Sequence, residues 1–241
     1  VSVTVSPQAP NAIALSPDSL ALKPGQVDTL AARVETAGGD ELVAFPITWT
    51  SSDTTVAIVN VEGVVTASFY VGATTRTAQI IASTGALADT ITVEVTPLAV
   101  ASLALSPDTA SLLPGNELQL DLIVRDAAAL QLTDRVVSYA SDAASIATVN
   151  ASGRVTVLAS GRPDTVTVRI SATSEGRADT TTITVLPHPV AWVTATPEAI
   201  ALFPLGADTL TATQQSFDLT PLTGRSVSYS TLDASVATVT P

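Results

Sequence analysis

Residues 135–159 read RVVSYASDAASIATVNASGRVTVLA. The first part, RVVSYA (135–140), is rich in β-branched and aromatic side chains, carries one tyrosine, and reads as a strand. SIATVN (145–150) then passes through Ala151, Ser152 and Gly153 into RVTVLA (154–159). Two short alternating runs about a glycine-containing turn are a hairpin signal. Upstream, ASLALS (101–106) stops at Pro107, and ELQLDLIV (117–124) sets leucines against polar neighbours at a period of two. Downstream, TVTVRISA (165–172), the turn EGR (175–177) and DTTTITV (179–185) complete the series. The pattern predicts seven strands of about 6–8 residues in about 90. No segment carries a sustained 3.6-residue apolar stripe, so helix is expected to be nearly absent.

The same pattern recurs along the chain. LSPDSLALKPG (15–25), LSPDTASLLPG (105–115) and ATPEAIALFPL (195–205) lie 90 residues apart. So do Pro7, Pro97 and Pro187, and so do Trp49, Tyr139 and Tyr229. Gly63 matches Gly153, and ADT at 88–90 matches ADT at 178–180. A period of 90 exceeds the 20–50 residues of solenoid repeats and suits a small independent domain. The predicted fold class is all-β: tandem Greek-key sandwiches of the immunoglobulin type, about 90 residues each. The expected organisation is 1–8 as the last strand of a preceding repeat, 9–98 as repeat 1, 99–188 as repeat 2, and 189–241 as an incomplete repeat 3. The cysteines of antibody domains are missing, so the aromatic of the third strand has to anchor each core without a disulfide.

The residues also carry a family resemblance. WTSSD, VA, VN, Gly and VTA follow one another over residues 49–67, preceded by SP and PG; repeat 2 has YASDAASIATVNASGRVT and repeat 3 has YSTLDASVATV. This order resembles the bacterial immunoglobulin-like domain of group 2, in tandem copies over almost the whole chain. The resemblance implies an exported, surface-displayed bacterial protein of the kind found in adhesins, cell-wall stalks and some phage structural proteins. It supplies no catalytic residue.

Composition narrows the function classes. The formal net charge is −12, with one lysine, Lys23, against nine arginines. Such a surface repels phosphate backbones, so nucleic acid is not an expected partner. Apolar runs fall short of the roughly 18–20 residues that cross a bilayer as a helix, so no membrane span is expected. Cysteine is absent, which removes disulfides, thiolate metal sites and thiol nucleophiles together. There is no methionine either, and the chain begins at Val1. The sequence is therefore expected to be a window from a longer tandem array. The competing expectation is that Val1–Val5 lends a strand to a neighbouring molecule in a head-to-tail filament.

Chemistry-bearing residues are few. The single histidine, His188, stands between two prolines in LPHPV and reads as a linker residue. Serine–histidine nucleophilic chemistry needs a histidine beside a serine and an acid, and a multi-histidine metal site needs more than one. Asp40, Glu41, Asp53, Asp142 and Asp233 fall in loops without the spacing of a calcium loop, and read as turn caps. Asn150–Ser152 is formally a glycosylation sequon inside a predicted tight turn. No catalytic, cofactor-binding or metal residue is assigned, and the chain is expected not to be an enzyme. Phe69, Tyr70 and Trp192 lack aromatic counterparts in the other repeats. They are the candidate contact surface.

In the joints SPQAPNAIALSP, TPLAVASLALSP and LPHPVAWVTATP the two flanking prolines are ten residues apart. Short, proline-containing joints are semi-rigid, so the array is expected to be a rod gaining about 35–45 Å per repeat. The expected function is a non-enzymatic stalk, spacer or filament segment of an extracellular bacterial surface protein, with neighbouring repeats or copies of itself as partners. The alternatives are an adhesin that binds a cell-surface glycan or protein, a phage structural protein, and an accessory region of a secreted enzyme.

Overall fold

The computed structural model describes residues 8–43, 45–158 and 162–240. The strand expected at 1–7 lies outside the described residues. Strands account for all regular structure described, and no helix is present among these residues. The first ten are β1 (Ala12–Ser16), β2 (Ser19–Leu22), β3 (Val27–Thr29), β4 (Ala31–Glu35), β5 (Glu41–Leu42), β6 (Thr48–Ser51), β7 (Ala57–Val59), β8 (Val64–Ala67), β9 (Arg76–Thr84) and β10 (Leu87–Val95). Then come β11 (Ser102–Ser106), β12 (Thr109–Leu112), β13 (Glu117–Gln119), β14 (Asp121–Arg125), β15 (Ser138–Ser141), β16 (Ala147–Val149), β17 (Arg154–Val157), β18 (Val166–Ser174) and β19 (Arg177–Val185). The last are β20 (Trp192–Thr196), β21 (Thr211–Gln215) and β22 (Pro221–Leu222).

Each of β11–β19 begins and ends 90 residues after a counterpart among β1–β10; β5 alone is matched by an isolated bridge, Arg125 to Gln131. The period read from sequence is thus a period of backbone structure. The chain divides into two compact units, one gathering Val1–Ser102 and Val124–Arg135, the other Leu103–Ile123 and Val136–Pro241.

In the first unit the sheets are β1-β4-β5, β2-β10-β9-β6 and β3-β8-β7. The long hairpin β9–β10 is the frame. Its alternation turns Ala78, Ile80, Ala82, Ile91, Val93 and Val95 inward, where they meet Ile13, Leu20, Val34, Val65 and Ala67 in one core. Small and β-branched side chains fill that space, as the near-absence of aromatics requires. The second unit repeats the frame in β12-β19-β18-β15 and β13-β17-β16, around Val168, Ile170, Ala172, Ile183 and Val185. Trp49 and Tyr139 pack at the edges of the two cores.

Two expectations need correction. ELQLDLIV is not one strand: the chain bends at Leu120, and β13 and β14 belong to different sheets. Leu120 is buried at the bend and its N–H donates to the Gly153 carbonyl at 3.0 Å, so neither half continues the other's ladder. Leu30 does the same against Gly63 at 2.9 Å. Period-two patterning cannot register such a bend, because the leucine stays in phase on both sides.

The second correction is an added strand. The stretch after each SPD motif forms β2 and β12, which pair in parallel with β10 and β19. Between β1 and β2, and between β11 and β12, stands a cis prolyl bond (Ser16–Pro17, Ser106–Pro107), at the point where the chain leaves one sheet for the other. Thr196–Pro197 is cis as well.

Repeat 3 is the repeat expected to be incomplete. Its described residues form one sheet, β20-β21-β22, and the counterparts of β15 and β16 at 228–231 and 237–239 are not strands. β15 pairs with β18, and β16 with β17.

Candidate functional site: a polar cluster at His188

The three candidate contact residues behave differently. Phe69 is 63% exposed, and Trp192, on β20, is 53% exposed. Tyr70 is half-buried against the core of the first unit. Its hydroxyl lies 2.9 Å from both the Thr74 and the Val95 carbonyls, and the Arg76 guanidinium sits 4.7 Å from its ring centroid. Burial pushes the Tyr70 phenol above its ordinary range. Tyr70 therefore fastens the loop that carries Phe69 to the end of β10. The structure puts Phe69 and Tyr70 in one unit and Trp192 in the other.

Of the loop carboxylates, Asp53 and Asp233 cap turns, Glu41 lies in β5, and Asp142 bonds across to β18. Asp53 accepts from the Thr55 amide at 2.9 Å and the Thr55 hydroxyl at 2.6 Å. The hydroxyl bond leads in holding its carboxyl below the usual range. Asp233 receives the same pair of bonds from Ser235, with the same consequence. Asp142 accepts from the Arg169 amide at 2.9 Å. Among the described residues, no three His, Asp or Glu side chains gather in a way that could hold a metal ion.

The one cluster that sequence reasoning missed surrounds His188. This residue lies in the segment between β19 and β20, as expected, but it is only 7% exposed. Its Nδ1 is 3.9 Å from Asp218 Oδ1. The same carboxylate oxygen accepts from the Ser216 hydroxyl, which is buried and also reaches the Thr220 carbonyl at 3.2 Å. The Ser216 bond is the main reason Asp218 stays ionised below the usual carboxylate range. Arg225 donates to the His188 carbonyl, and at 3.2 Å to the Arg162 carbonyl. Gln214, buried on β21, donates to the Ser226 carbonyl at 3.3 Å.

A histidine, an aspartate and a serine are therefore neighbours, in the wrong order for nucleophilic catalysis. A general base must sit between the nucleophile and the acid to take the hydroxyl proton. Here the carboxylate lies in the middle and accepts the serine's hydrogen bond, and His188 Nδ1 makes no hydrogen bond to the hydroxyl. The arrangement suits fastening the segment 186–191 to the turn that follows β21. The signal that could have found it is the 90-residue register, which pairs Arg225 with Arg135.

Residues 99–185 match the family described as the bacterial Ig-like domain (group 2). No curated protein matches the chain. Among solved structures the chain is similar to the S-layer protein rSbsC(31-844), at 20% identity and a TM-score of 0.37, over 80% of this chain and 27% of that one. It is similar to the Yersinia pseudotuberculosis adhesin InvE at 16% identity and a TM-score of 0.40, over 72% of this chain and 58% of that one. It is similar to the Escherichia coli adhesin FdeC at 17% identity and a TM-score of 0.38, over 92% and 79%. The chain thus spans about a quarter of the S-layer protein's length. Residues 99–185 are a bacterial Ig-like domain of group 2.

Proposed function

We propose that this chain is a non-enzymatic structural segment of an extracellular bacterial surface protein, with its repeats at 9–98, 99–188 and 189–241 serving as a spacer or stalk. The observation that carries the reading is the strict 90-residue recurrence of strands, caps and turn glycines. Where the polar groups repeat with the backbone, as Asp89 and Asp179 do, they serve the fold of each repeat. The match to a bacterial Ig-like domain agrees with display at the cell surface. The His188 cluster has a fastening geometry, and among the described residues no helix is long and apolar enough to cross a membrane.

The experiment is immunolabelling of intact source cells with an antibody raised against residues 99–185. Labelling that external protease removes supports the reading; a signal that appears only after lysis contradicts it. A second reading, adhesion through exposed aromatics, is favoured by the exposure of Phe69 and Trp192. It requires that Phe69→Ala or Trp192→Ala abolish attachment while display is unchanged.

A further inference from the structure

Two arginines 90 residues apart make the same contact. Arg135 Nη2 donates to the Leu98 carbonyl at 2.8 Å, and Arg225 Nη2 donates to the His188 carbonyl. Leu98 and His188 are themselves 90 residues apart, one residue after Pro97 and Pro187, in the segments that leave β10 and β19. Both arginines are half-buried, and the Nε of each is closed off from water. The surroundings recur as well. In the first unit, the Thr133 amide donates to the Val71 carbonyl at 3.1 Å, and Leu132 beside it is buried. In the second, Arg225 also holds the Arg162 carbonyl, Gly224 stands against Pro163, and Leu222 is buried. That Val124–Arg135 gathers with Val1–Ser102 in one compact unit, although it belongs to the second sequence repeat, is the larger-scale sign of the same fastening.

We infer that Arg135 and Arg225 are latches: each fastens the segment that leaves one repeat to the turn region of the next repeat. Leu98 and His188 follow the ends of β10 and β19, so their carbonyls take a partner outside those strands, and here an arginine supplies it. A guanidinium suits the task, because it stays charged at every working pH and offers several donors in a fixed plane. A single Nη2 carries two N–H groups and can take both the connecting carbonyl and a loop carbonyl of the preceding repeat, as that of Arg225 does. The bond is charge-assisted and therefore stronger than an amide–carbonyl bond. The corresponding position in repeat 1 is Phe45, which packs against the core of its own repeat. The latch is a positioning device and does not depend on where the protein is displayed.

Amide hydrogen exchange on the full chain tests it, because exchange reports opening residue by residue. The probes are the Thr133 and Ala101 amides, bonded to the Val71 and Arg125 carbonyls, and the Ala191 amide, bonded to the Gln215 carbonyl. Arg135→Ala should speed exchange at Thr133 and Ala101 about tenfold and leave Ala191 unchanged. Arg225→Ala should speed Ala191 and leave Thr133 unchanged. The core amides of Ile80 and Ile170 should keep wild-type protection in both. Arg135→Lys and Arg225→Lys cover the case in which alanine prevents folding, and should lose protection at the same probes. Wild-type exchange at the probes in the folded variants overturns the latch. So does a uniform acceleration that includes Ile80 and Ile170, which would make the arginines general stabilisers of the fold.

Discussion

Gly63 and Trp49 occupy each other's only available space: a Cβ built on Gly63 would fall 2.8 Å from Trp49 Cζ2 and 2.5 Å from the Leu30 carbonyl oxygen. Gly63 also holds a φ of +78°, in the left-handed region. Gly153 repeats the relationship more loosely, at φ +77° with Tyr139 3.1 Å from the same imagined Cβ. Gly63→Ala should therefore cost more than Gly153→Ala. The left-handed backbone alone costs about 1–2 kcal/mol for a residue with a Cβ, and at Gly63 a rigid backbone oxygen adds to it. Denaturant midpoints of the two variants check the order; equal midpoints would refute it.

The carboxylate of Asp89 accepts the Leu15 amide at 2.8 Å, and that of Asp179 accepts the Leu105 amide at 2.7 Å. Each ties the closing hairpin to the opening strand of its repeat. Asp89→Ala or Asp179→Ala leaves a part-buried N–H without its acceptor, at about 1–3 kcal/mol. Asparagine, which keeps an acceptor oxygen, should recover part of the loss. Equilibrium unfolding of the four variants measures it.

Acid should loosen specific turns before the cores. Asp53, Asp218 and Asp233 all titrate below the usual 3.8, each chiefly through a side-chain hydroxyl bond from Thr55, Ser216 or Ser235. A depressed carboxylate pKa contributes stability that is fully present above the unfolded value and is lost as pH falls through the folded one. The window therefore lies below about pH 4. Asp218 and Asp233 are exposed and Asp53 is partly so, so the effect on global stability should be small, and NMR titration of the Thr55 and Ser235 amides is the suitable readout. Midpoints at or above 3.8 would contradict the assignment.

His188→Ala should remove a buried side chain and weaken the second unit without removing any activity. Core-facing Ile170→Ala should do far more, about 2–5 kcal/mol. Thermal unfolding of both, alongside display on cells, separates packing from function. Loss of a biological readout in folded, displayed His188→Ala protein would contradict a fastening role.

Most of the fold was legible because the hydrophobic alternation and the 90-residue register agree. The ADT motif is a case in point: it recurs because its aspartate must cap Leu15 and Leu105. The bends at Leu30 and Leu120 were not legible, since they preserve phase while changing sheet. The parallel strands Ser19–Leu22 and Thr109–Leu112 were hidden for a related reason, because proline-flanked motifs read as loops until a partner strand claims them. The His188 cluster escaped because its members, from 188 to 225, share no local motif and meet only through the turn after Gln215. Trp192 and Phe69 were picked out by their lack of counterparts, a signal of individuality that does not by itself say what they touch.

The most direct test of the spacer reading is in-frame deletion of residues 99–188, one full period, from the gene. Interchangeable structural repeats predict a protein that folds, reaches the cell surface and keeps its attachment or assembly function in shortened form. A deletion protein that folds and is displayed in normal amount, yet is as inactive as a gene knockout, would contradict the account and make residues 99–188 a specific binding module.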